Sequence, residues 1–401
     1  MVSTPSYDVI IIGGFGHVGL PLGIAFADSG LCVGLLDIDT GKRPMIEAGT
    51  MPFIEYDAEP ILKRVIGKSL TVCDGLKEIA SAKTIIITIG TPVDEYLSPK
   101  TRPFFELADR MAPYLSKDQC VILRSTVYPG TSQSLSDHWK KMGKDVQIAF
   151  CPERIVQGYA IRELKTLPQV VSGTSPQAIS IASALFRKLG VEIIEVSMEE
   201  AELTKLFLNA WRYIQFAVGN QFYMMAKDRG LDYAKIYHAM THHYDRGGIP
   251  GPGFAAGPCL LKDTMQLSAA YRNQFFIGHA AMMVNEGLPA FVIDKLLAEC
   301  GSIAGKTIGI LGMAFKKDID DTRDSLSFKL LKILRFHGAT VLVSDEFASD
   351  LSFVPSEKVL KEADIIIIGV PHTAYRTLKI PRGKHVIDLW GVIPFGSSTP
   401  S

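Results

Sequence analysis

Short aliphatic and β-branched runs alternate with amphipathic stretches through the first half of the chain. Each run is apolar at consecutive positions, which is typical of strands buried on both faces of a parallel sheet covered by helices. The pattern predicts a doubly wound domain over residues 1–198, with strands at 7–12, 31–36, 84–89, 120–124, 146–150, 169–173 and 191–196.

A helical region and a second α/β unit follow. Residues 199–229 contain no proline and no strand-like run, so they predict one long helix, and a mostly helical stretch continues to Cys300. Strands are predicted again at 306–311, 340–345, 364–370 and 385–390, before a tail at 397–401 that we expect to be disordered.

The predicted architecture is therefore two Rossmann-like doubly wound parallel-sheet domains joined by a long central helix and a helical middle domain. The predicted boundaries are 1–198, 199–300 and 301–401. A chain of 401 residues is long enough for two or three domains.

Charge and cysteine usage narrow the class of protein. The 42 basic and 42 acidic residues cancel, which gives no electrostatic reason to expect a nucleic acid or an anionic membrane as partner. The apolar run 9–27 is interrupted by glycines and Pro21, and fits a buried strand and helix better than a membrane span. The six cysteines form no CxxC pair, so we expect reduced thiols and a cytoplasmic protein.

A glycine motif directly follows the first predicted strand. Gly14, Gly16 and Gly19 form GxGxxG, and Asp37 ends the second strand. In this context the glycines permit a tight turn and the approach of a pyrophosphate, which then faces a helix N-terminus. A carboxylate at Asp37 accepts hydrogen bonds from ribose hydroxyls and repels a ribose phosphate, so the motif favours NAD over NADP.

Residues near this motif leave alternatives open. Lys42 and Arg43 supply cations that could instead serve a ribose phosphate. Thr91–Pro92 and Ser125–Thr126 follow strands at their carboxyl ends, where open sheets bind ligands, but they also suit ordinary turns or caps.

Cys259 is the candidate nucleophile. The loop GPGFAAGPCLLKD (251–263) holds this thiol among glycines and prolines, with Lys262 and Asp263 close behind. A nearby cation favours the reactive thiolate, although Lys262 also fits a surface lysine paired with Asp263. With the cofactor motif, the thiol predicts an oxidation that passes through a covalent intermediate. The other cysteines, Cys151 included, fit core thiols.

The long predicted helix carries a polar stripe. Lys205, Asn209 and Asn220 fall within an arc of about 60° at 3.6 residues per turn. Because the rest of the helix is strongly apolar, the stripe indicates polar groups directed at a specific target, or else a solvated seam or satisfied core amides. Such a helix could also form a dimer core.

Three histidines, His238, His242 and His243, lie at helical or adjacent spacing further along. No carboxylate or cysteine completes a convincing ligand set around them, so we predict no metal site.

In this order the motifs resemble the UDP-glucose/GDP-mannose dehydrogenase family over nearly the whole chain. The matching segments are GGFGHVGLPLG (13–23), DID (37–39), TP (91–92), STV (125–127), CPER (151–154), AELTKLFLNA (201–210), the cysteine loop and GMAFKKDIDDTRDS (312–325). Members of that family oxidise the 6-hydroxymethyl group of a nucleotide sugar to a carboxylate with two NAD per turnover. The resemblance implies an aldehyde, its capture by Cys259 as a thiohemiacetal, and a thioester that water hydrolyses.

The resemblance also implies roles for the matched residues. Lys205 stabilises the alkoxide and the tetrahedral oxyanion, and Asn209 donates a further hydrogen bond. Asp263, with Thr126, holds or activates water, and Glu153 is the general base for thioester hydrolysis. The implied cofactor site comprises Gly14, Phe15, Gly16, His17, Val18, Gly19, Asp37, Lys42, Thr91, Pro92, Thr126 and Arg323.

The implied sugar-nucleotide site draws on all three regions. It comprises Arg154, Lys205, Asn209, Arg246, Phe254, Ala255 and Lys316, with Arg246 reaching a neighbouring subunit's substrate. The last α/β unit resembles the UDP-binding domain, in which Lys316 and Arg323 meet the pyrophosphate or the cofactor.

Departures from the family pattern concern the sugar. Ala255 and Ala256 stand where glycines are common, and Gly257–Pro258 adds a residue before the thiol. Arg154 resembles the 2-acetamido-sugar branch, whereas LLKD after Cys259 resembles the glucose branch. The sugar is left open by these mixed features.

We therefore expect a cytoplasmic UDP-sugar 6-dehydrogenase that forms at least a homodimer. One alternative is a two-electron NAD-dependent hydroxyacid or sugar-phosphate dehydrogenase. The other is a non-catalytic protein that binds NAD or a nucleotide sugar.

Overall fold

A computed structural model of the chain describes residues 7–94 and 99–393; the tail 397–401 lies outside them. The chain forms two compact units, 1–208 and 209–401, with the boundary inside its longest helix. The three predicted domain boundaries stay a prediction.

Within the described part of the first unit the strands form one eight-stranded sheet of order β3-β2-β1-β4-β5-β6-β7-β8. Its strands are β1 (Tyr7–Ile12), β2 (Val33–Leu36), β3 (Leu70–Val72), β4 (Ala82–Ile87), β5 (Cys120–Leu123), β6 (Gln147–Phe150), β7 (Gln169–Gly173) and β8 (Ile193–Glu195). The reversal of strand order at β1 gives the doubly wound topology expected from the sequence.

The pairs from β3 to β6 are parallel, whereas β7 runs antiparallel to β6. The connection between β6 and β7 contains one short helix, Ala160–Glu163. The chain therefore enters β7 from the end of the sheet at which it leaves β6, without the crossover that a parallel pair requires. β8 then pairs in parallel with β7.

Helices cover both faces of this sheet. They are α1 (Gly19–Asp28), α2 (Arg43–Glu47), α3 (Ala58–Val65), α4 (Arg102–Met111), α5 (Thr131–Lys141), α6 (Ala160–Glu163) and α7 (Pro176–Arg187). Alternate strand residues enter two cores: Val9 and Ile11 pack in one, and Ile10 and Ile12 pack in the other. This burial on both faces explains the consecutive apolar residues of each strand.

The long helix α8 (Met198–Asp228) matches its prediction to within one residue at each end. It is followed by α9 (Tyr233–Thr241), α10 (Leu260–Ala270) and α11 (Phe276–Cys300). By length and hydropathy α11 could cross a membrane. Within the second unit it packs against α10 and the next helix, α12 (Leu326–Phe336), and its Asn285 is fully buried.

The second unit also contains a parallel sheet. Its described strands are β9 (Thr307–Leu311), β10 (Thr340–Ser344), β11 (Ile365–Ile368) and β12 (His385–Ile387), in the order β10-β9-β11-β12. With α12 and α13 (Ser356–Glu362) they form the second Rossmann-like layer that the sequence predicts.

Candidate active site

The glycine motif forms the turn between β1 and α1 in the first unit. α1 begins at Gly19, where an added Cβ would overlap the carbonyl oxygen of Gly13 and lie 2.8 Å from Thr88 Oγ1. Only glycine lets the helix approach the strand this closely. The helix has no side-chain cap, so its N-terminus is open to an anion, as a pyrophosphate requires.

Asp37 accepts two backbone hydrogen bonds, one of which comes from this turn. Its Oδ2 accepts from the backbone N–H of Phe15 at 3.0 Å, and its Oδ1 accepts from that of Asp39 at 3.0 Å. Lys42 and Arg43, the two cations that could have bound the ribose phosphate of NADP, are both paired with acids. Lys42 lies 3.2 Å from Asp39, and Arg43 lies 2.8 Å from Glu47. The residues present therefore fit a ribose with free hydroxyls.

The segments after β4 and β5 lie side by side at the carboxyl edge of the sheet. The Thr91 hydroxyl donates to the backbone oxygen of Thr126, and the Ser125 hydroxyl donates to that of Ile89 at 2.7 Å. Pro92 is exposed, and its carbonyl accepts from Lys100 at 2.9 Å. The structure thus brings Thr91 and Thr126 together next to the strand that leads into the glycine turn.

Glu153 is part of a buried ion pair. Its Oε2 lies 2.7 Å from Arg124 Nε and 2.5 Å from Arg124 Nη2, and its Oε1 accepts from the backbone N–H of Arg154 and Ile155 at 2.7 and 2.9 Å. Both carboxylate oxygens already accept hydrogen bonds. To act as a general base, Glu153 would have to loosen from Arg124.

Sequence reasoning missed the role of Arg124. Its side chain is 1% exposed and also donates to Gln169 Oε1 at 3.0 Å. In the sequence, the one sign of this role is that Arg124, a cation, directly follows the apolar strand CVIL. Arg154, which follows Glu153, is half-buried and donates to the carbonyl of Pro168.

A second missed residue anchors the start of α8. Glu202, 2% exposed, accepts hydrogen bonds from the backbone N–H of Gly130 at 2.6 Å and Ser132 at 2.9 Å. Its carboxylate thus caps the N-terminus of α5 and holds α8 against it. Lys205 follows on α8, half-buried, one turn before Asn209.

In the second unit, Cys259 is the N-cap residue of α10 and is exposed. Its carbonyl accepts from the N–H of Asp263 at 2.9 Å, so the thiol sits at the positive end of the helix, where an anionic thiolate is favoured. Burial raises the pKa of Cys73, Cys120 and Cys151 to about 12, which leaves those thiols protonated at neutral pH. The prediction of a core thiol is wrong for Cys300, which is exposed, and Cys32 is half-buried.

Asp263 is the buried polar centre beside the thiol. Its side chain is 1% exposed; Asn209 Nδ2 donates to its Oδ2 at 2.5 Å, and Lys262 Nζ lies 2.8 Å from its Oδ1. One connected cluster is therefore formed by Asn209, Lys262 and Asp263. The sequence predicts all three to lie near the reacting groups.

Asn220 is directed at the backbone of the cysteine loop. Its Oδ1 accepts from the N–H of Gly253 at 2.7 Å, and its Nδ2 donates to the carbonyl of Gly253 at 3.0 Å and to Asn285 Oδ1 at 2.8 Å. Beyond Gly253, Phe254 and Ala255 are buried, and their part in substrate binding stays a prediction.

The two predicted cations of the last α/β layer lie on the segment after β9. Arg323 makes a forked ion pair with Asp321, at 2.6 Å for the closest atoms, and Lys316 is half-buried. The pKa of Arg323 is raised, chiefly by its hydrogen bond with Asp321. The charges of Asp321, Cys259 and Asp324 raise it further. Arg323 is therefore within electrostatic reach of the thiol.

The comparisons with known proteins cover this whole arrangement. Sequence profiles of the UDP-glucose/GDP-mannose dehydrogenase family match with the NAD binding domain at residues 8–190, the central domain at 199–286 and the UDP binding domain at 309–394. The UDP-N-acetyl-D-mannosamine dehydrogenase of Pyrococcus horikoshii is 30% identical over 94% of this chain and 94% of its own length. The chain belongs to the UDP-glucose/GDP-mannose dehydrogenase family.

Two solved structures share the fold of this dehydrogenase. That of UDP-D-ManNAc dehydrogenase from Pyrococcus horikoshii superposes with a TM-score of 0.86 and 27% identity, over 92% of this chain and 90% of that one. That of a UDP-glucose dehydrogenase from Pyrobaculum islandicum gives 0.88 and 22% identity, over 96% and 98%, and supports the fold alone.

Family membership makes this dehydrogenase an NAD-dependent enzyme of nucleotide-sugar oxidation. Its NAD-binding domain contains the glycine turn and Asp37, and its UDP-binding domain contains Lys316 and Arg323. The NAD and UDP-sugar predictions are therefore confirmed at the level of the family.

Two further predicted groups of this dehydrogenase lie near the end of α9. The rings of His238, His242 and His243 lie in succession, tilted to each other, with centroids 4.4 and 4.1 Å apart. The described residues include no group of three or more His, Cys, Asp or Glu that could hold a metal ion. Arg246 is exposed, and its guanidinium lies 5.3 Å from the Tyr244 ring centroid.

Proposed function

We propose that this dehydrogenase oxidises the 6-hydroxymethyl group of a UDP-sugar to the carboxylate, with Cys259 as the covalent nucleophile. One observation supports this proposal above the others: the exposed Cys259 occupies the N-cap position of α10, and the Asn209–Asp263–Lys262 cluster lies on the first turn of that helix and beside it. Bound NAD accepts the hydride of each oxidation.

In the proposed first oxidation, the 6-hydroxyl loses its proton and the C6 carbon loses a hydride. Lys205 stabilises the alkoxide, and Asn209 donates a further hydrogen bond. The Cys259 sulfur then adds to the carbon of the aldehyde. The oxygen of the aldehyde takes up a proton, which gives a thiohemiacetal. Loss of a second hydride and of the hydroxyl proton leaves a thioester.

In the proposed last step, water attacks the thioester carbon, and the thiol leaves as the carboxylate forms. Asp263 and Thr126 hold the water, and Glu153 accepts its proton. Because both Glu153 oxygens are occupied by Arg124 and backbone N–H groups, this role requires the ion pair to open during the step.

For the sugar, we propose UDP-N-acetylmannosamine. The support is the name of the Pyrococcus horikoshii relative, which the chain matches along 94% of its length, and Arg154, the residue that resembles the 2-acetamido-sugar branch. The test is a panel of UDP-glucose, UDP-N-acetylglucosamine, UDP-N-acetylmannosamine and GDP-mannose, followed by NADH absorbance. The proposal expects the highest kcat/KM with UDP-N-acetylmannosamine, and a preference for UDP-glucose would contradict it.

We also propose a homodimer that pairs through α8. Five exposed apolar residues of this helix lie within an arc of about 60°, on the face opposite to Lys205, Asn209 and Asn220. They are Phe207, Trp211, Val218, Phe222 and Met225. Trp211→Glu should produce monomers in light scattering, whereas Arg212→Glu on a neighbouring exposed position should not; a dimer that persists in both variants would contradict this pairing.

Finally, we propose that the enzyme works in the reducing cytoplasm. Cys259 and Cys300 are both exposed, and the proposed chemistry needs the Cys259 thiol in its reduced form. Localisation of a tagged full-length chain by cell fractionation tests this.

A further inference from the structure

The cysteine loop is held at its second half by the segment 312–325 of the UDP-binding domain. The N–H of Gly257 donates to the carbonyl of Asp324 at 3.3 Å. Gly257 has a φ of +99°, and a Cβ added there would lie 2.5 Å from Cδ2 of the Phe315 ring. The ring therefore occupies the space that a side chain would need, and the loop rests directly on it.

The first half of the loop is held as firmly, at Gly253. Besides its two hydrogen bonds with Asn220, a Cβ at Gly253 would overlap the ring of Trp390. With Gly257 held, a single residue, Pro258, separates this contact from Cys259. The proline ring restricts the backbone there, and Cys259 is the N-cap residue of α10.

The segment that holds Gly257 also carries the cations expected to meet the diphosphate. Phe315 precedes Lys316, and Asp324 follows Arg323. The N–H of Phe315 donates to the carbonyl of Asp321 at 2.9 Å, and Arg323 is paired with the Asp321 carboxylate. One closed turn thus contains both cations and both contacts to the cysteine loop.

We propose that Phe315 is a positioning residue that couples diphosphate binding at Lys316 and Arg323 to the placement of Cys259. This inference rests on the proposed function, because it takes the ligand to be the UDP part of the substrate. A diphosphate that holds the cations in place also holds the Phe315 ring and the Asp324 carbonyl against Gly257. A change at Phe315 should therefore alter the placement of the thiol while Lys316 and Arg323 remain in the chain to bind the diphosphate.

The test uses UDP, which lacks the sugar and leaves the thiol open to a small reagent. The rate at which iodoacetamide alkylates Cys259 is followed by peptide mass spectrometry, with exposed Cys300 of the same chain as internal reference. Saturating UDP should raise the Cys259 rate about fivefold or more and leave the Cys300 rate unchanged. UDP binding is measured separately by calorimetry.

Phe315→Leu should keep UDP affinity within about threefold of the wild type but lose the UDP-dependent change at Cys259, and its kcat should fall while KM stays nearly constant. Phe353→Leu, which makes the same change at a half-buried aromatic residue that packs against the core of the second unit, is the matched control and should retain the UDP effect. Phe315→Tyr, which keeps the ring, should restore it.

The outcomes separate the two levels of the account. If UDP does not bind the wild type, the proposed function is wrong. If UDP binds but the wild-type Cys259 rate is unchanged or lower, or if Phe315→Leu responds like the wild type, the positioning role of Phe315 is wrong. The wild-type measurement decides this even if the variant fails to fold.

Discussion

Asn209 donates a hydrogen bond to Asp263 at 2.5 Å and joins the long helix α8 to the first turn of the helix that Cys259 begins. The Asp263 side chain is 1% exposed, and its other carboxylate oxygen, Oδ1, lies 2.8 Å from Lys262 Nζ. A charged group this deeply buried is tolerated only with partners. The pair therefore serves the stability of the second unit as well as the proposed chemistry.

Replacing Asn209 by Asp should make stability depend strongly on pH. Two carboxylates at this distance cannot both ionise without repulsion, so the variant should lose about 1–3 kcal/mol of its free energy of unfolding at pH 8 and recover part of it at pH 5. Urea unfolding at both pH values measures this. Asn273→Asp, at an exposed position of the same unit, is the control; equal behaviour of the two variants would refute the pairing.

A second pH effect belongs to the buried Asp345, at the end of β10. Burial opposes its ionisation, but hydrogen bonds from His372 and from the backbone N–H groups of Ala348 and Ala314 outweigh burial and lower the pKa of Asp345 to about 2. Because the folded-state pKa is depressed, the stabilisation is present above pH 4 and is lost as the pH falls towards 2.

Asp345→Asn should accordingly lower the free energy of unfolding by about 2 kcal/mol at pH 7, and its stability should change less than that of the wild type between pH 4 and pH 2. Urea titrations across this range test the prediction. Exposed Asp350, whose carboxylate accepts hydrogen bonds from the N–H and the hydroxyl of Ser352, provides the control Asp350→Asn. Parallel pH curves for wild type and Asp345→Asn would rule out the assigned cause.

The glycine turn should not tolerate a side chain at Gly19. Gly19→Ala forces α1 away from Gly13 and Thr88, so NAD affinity should fall at least about tenfold while UDP affinity is retained. Calorimetric titration with each ligand separates the two effects. Gly75→Ala, where nothing lies within 4 Å of the added carbon, should bind NAD like the wild type.

Arg124 and Glu153 should behave as one unit in stability. Removing either partner leaves the other charge buried and unpaired, so Arg124→Met and Glu153→Gln should each cost about 3–5 kcal/mol, and the double variant should cost much less than their sum. Thermal and urea unfolding of the four proteins complete the cycle. Additive losses would mean that the ion pair does not stabilise the fold.

The sequence predicts the strands well because each is apolar at consecutive positions, which marks burial on both faces. The strand Leu70–Val72 was missed because it is only three residues long and two of them are half-buried. The antiparallel entry of β7 was not foreseen either, because an apolar run carries no information about strand direction.

Within the candidate site, motif positions were predictable but their partners were not. Asn220 stands out as an amide on an apolar helix, yet nothing in the sequence indicates that it binds the backbone of Gly253, 33 residues later. Arg124 and Asn285 likewise appear only as isolated polar residues in apolar segments. Their roles depend on contacts between segments distant in sequence, and such contacts become visible only in the folded chain.

The most direct test of the central claim, that Cys259 carries the second oxidation, is the amount of NADH formed per UDP-sugar consumed, with the product identified by mass spectrometry. Wild-type enzyme should form two NADH and one uronate per sugar, and Cys259→Ala should release no uronate although it still binds NAD and UDP. A single NADH per sugar from the wild type, or full uronate production by Cys259→Ala, would contradict the account.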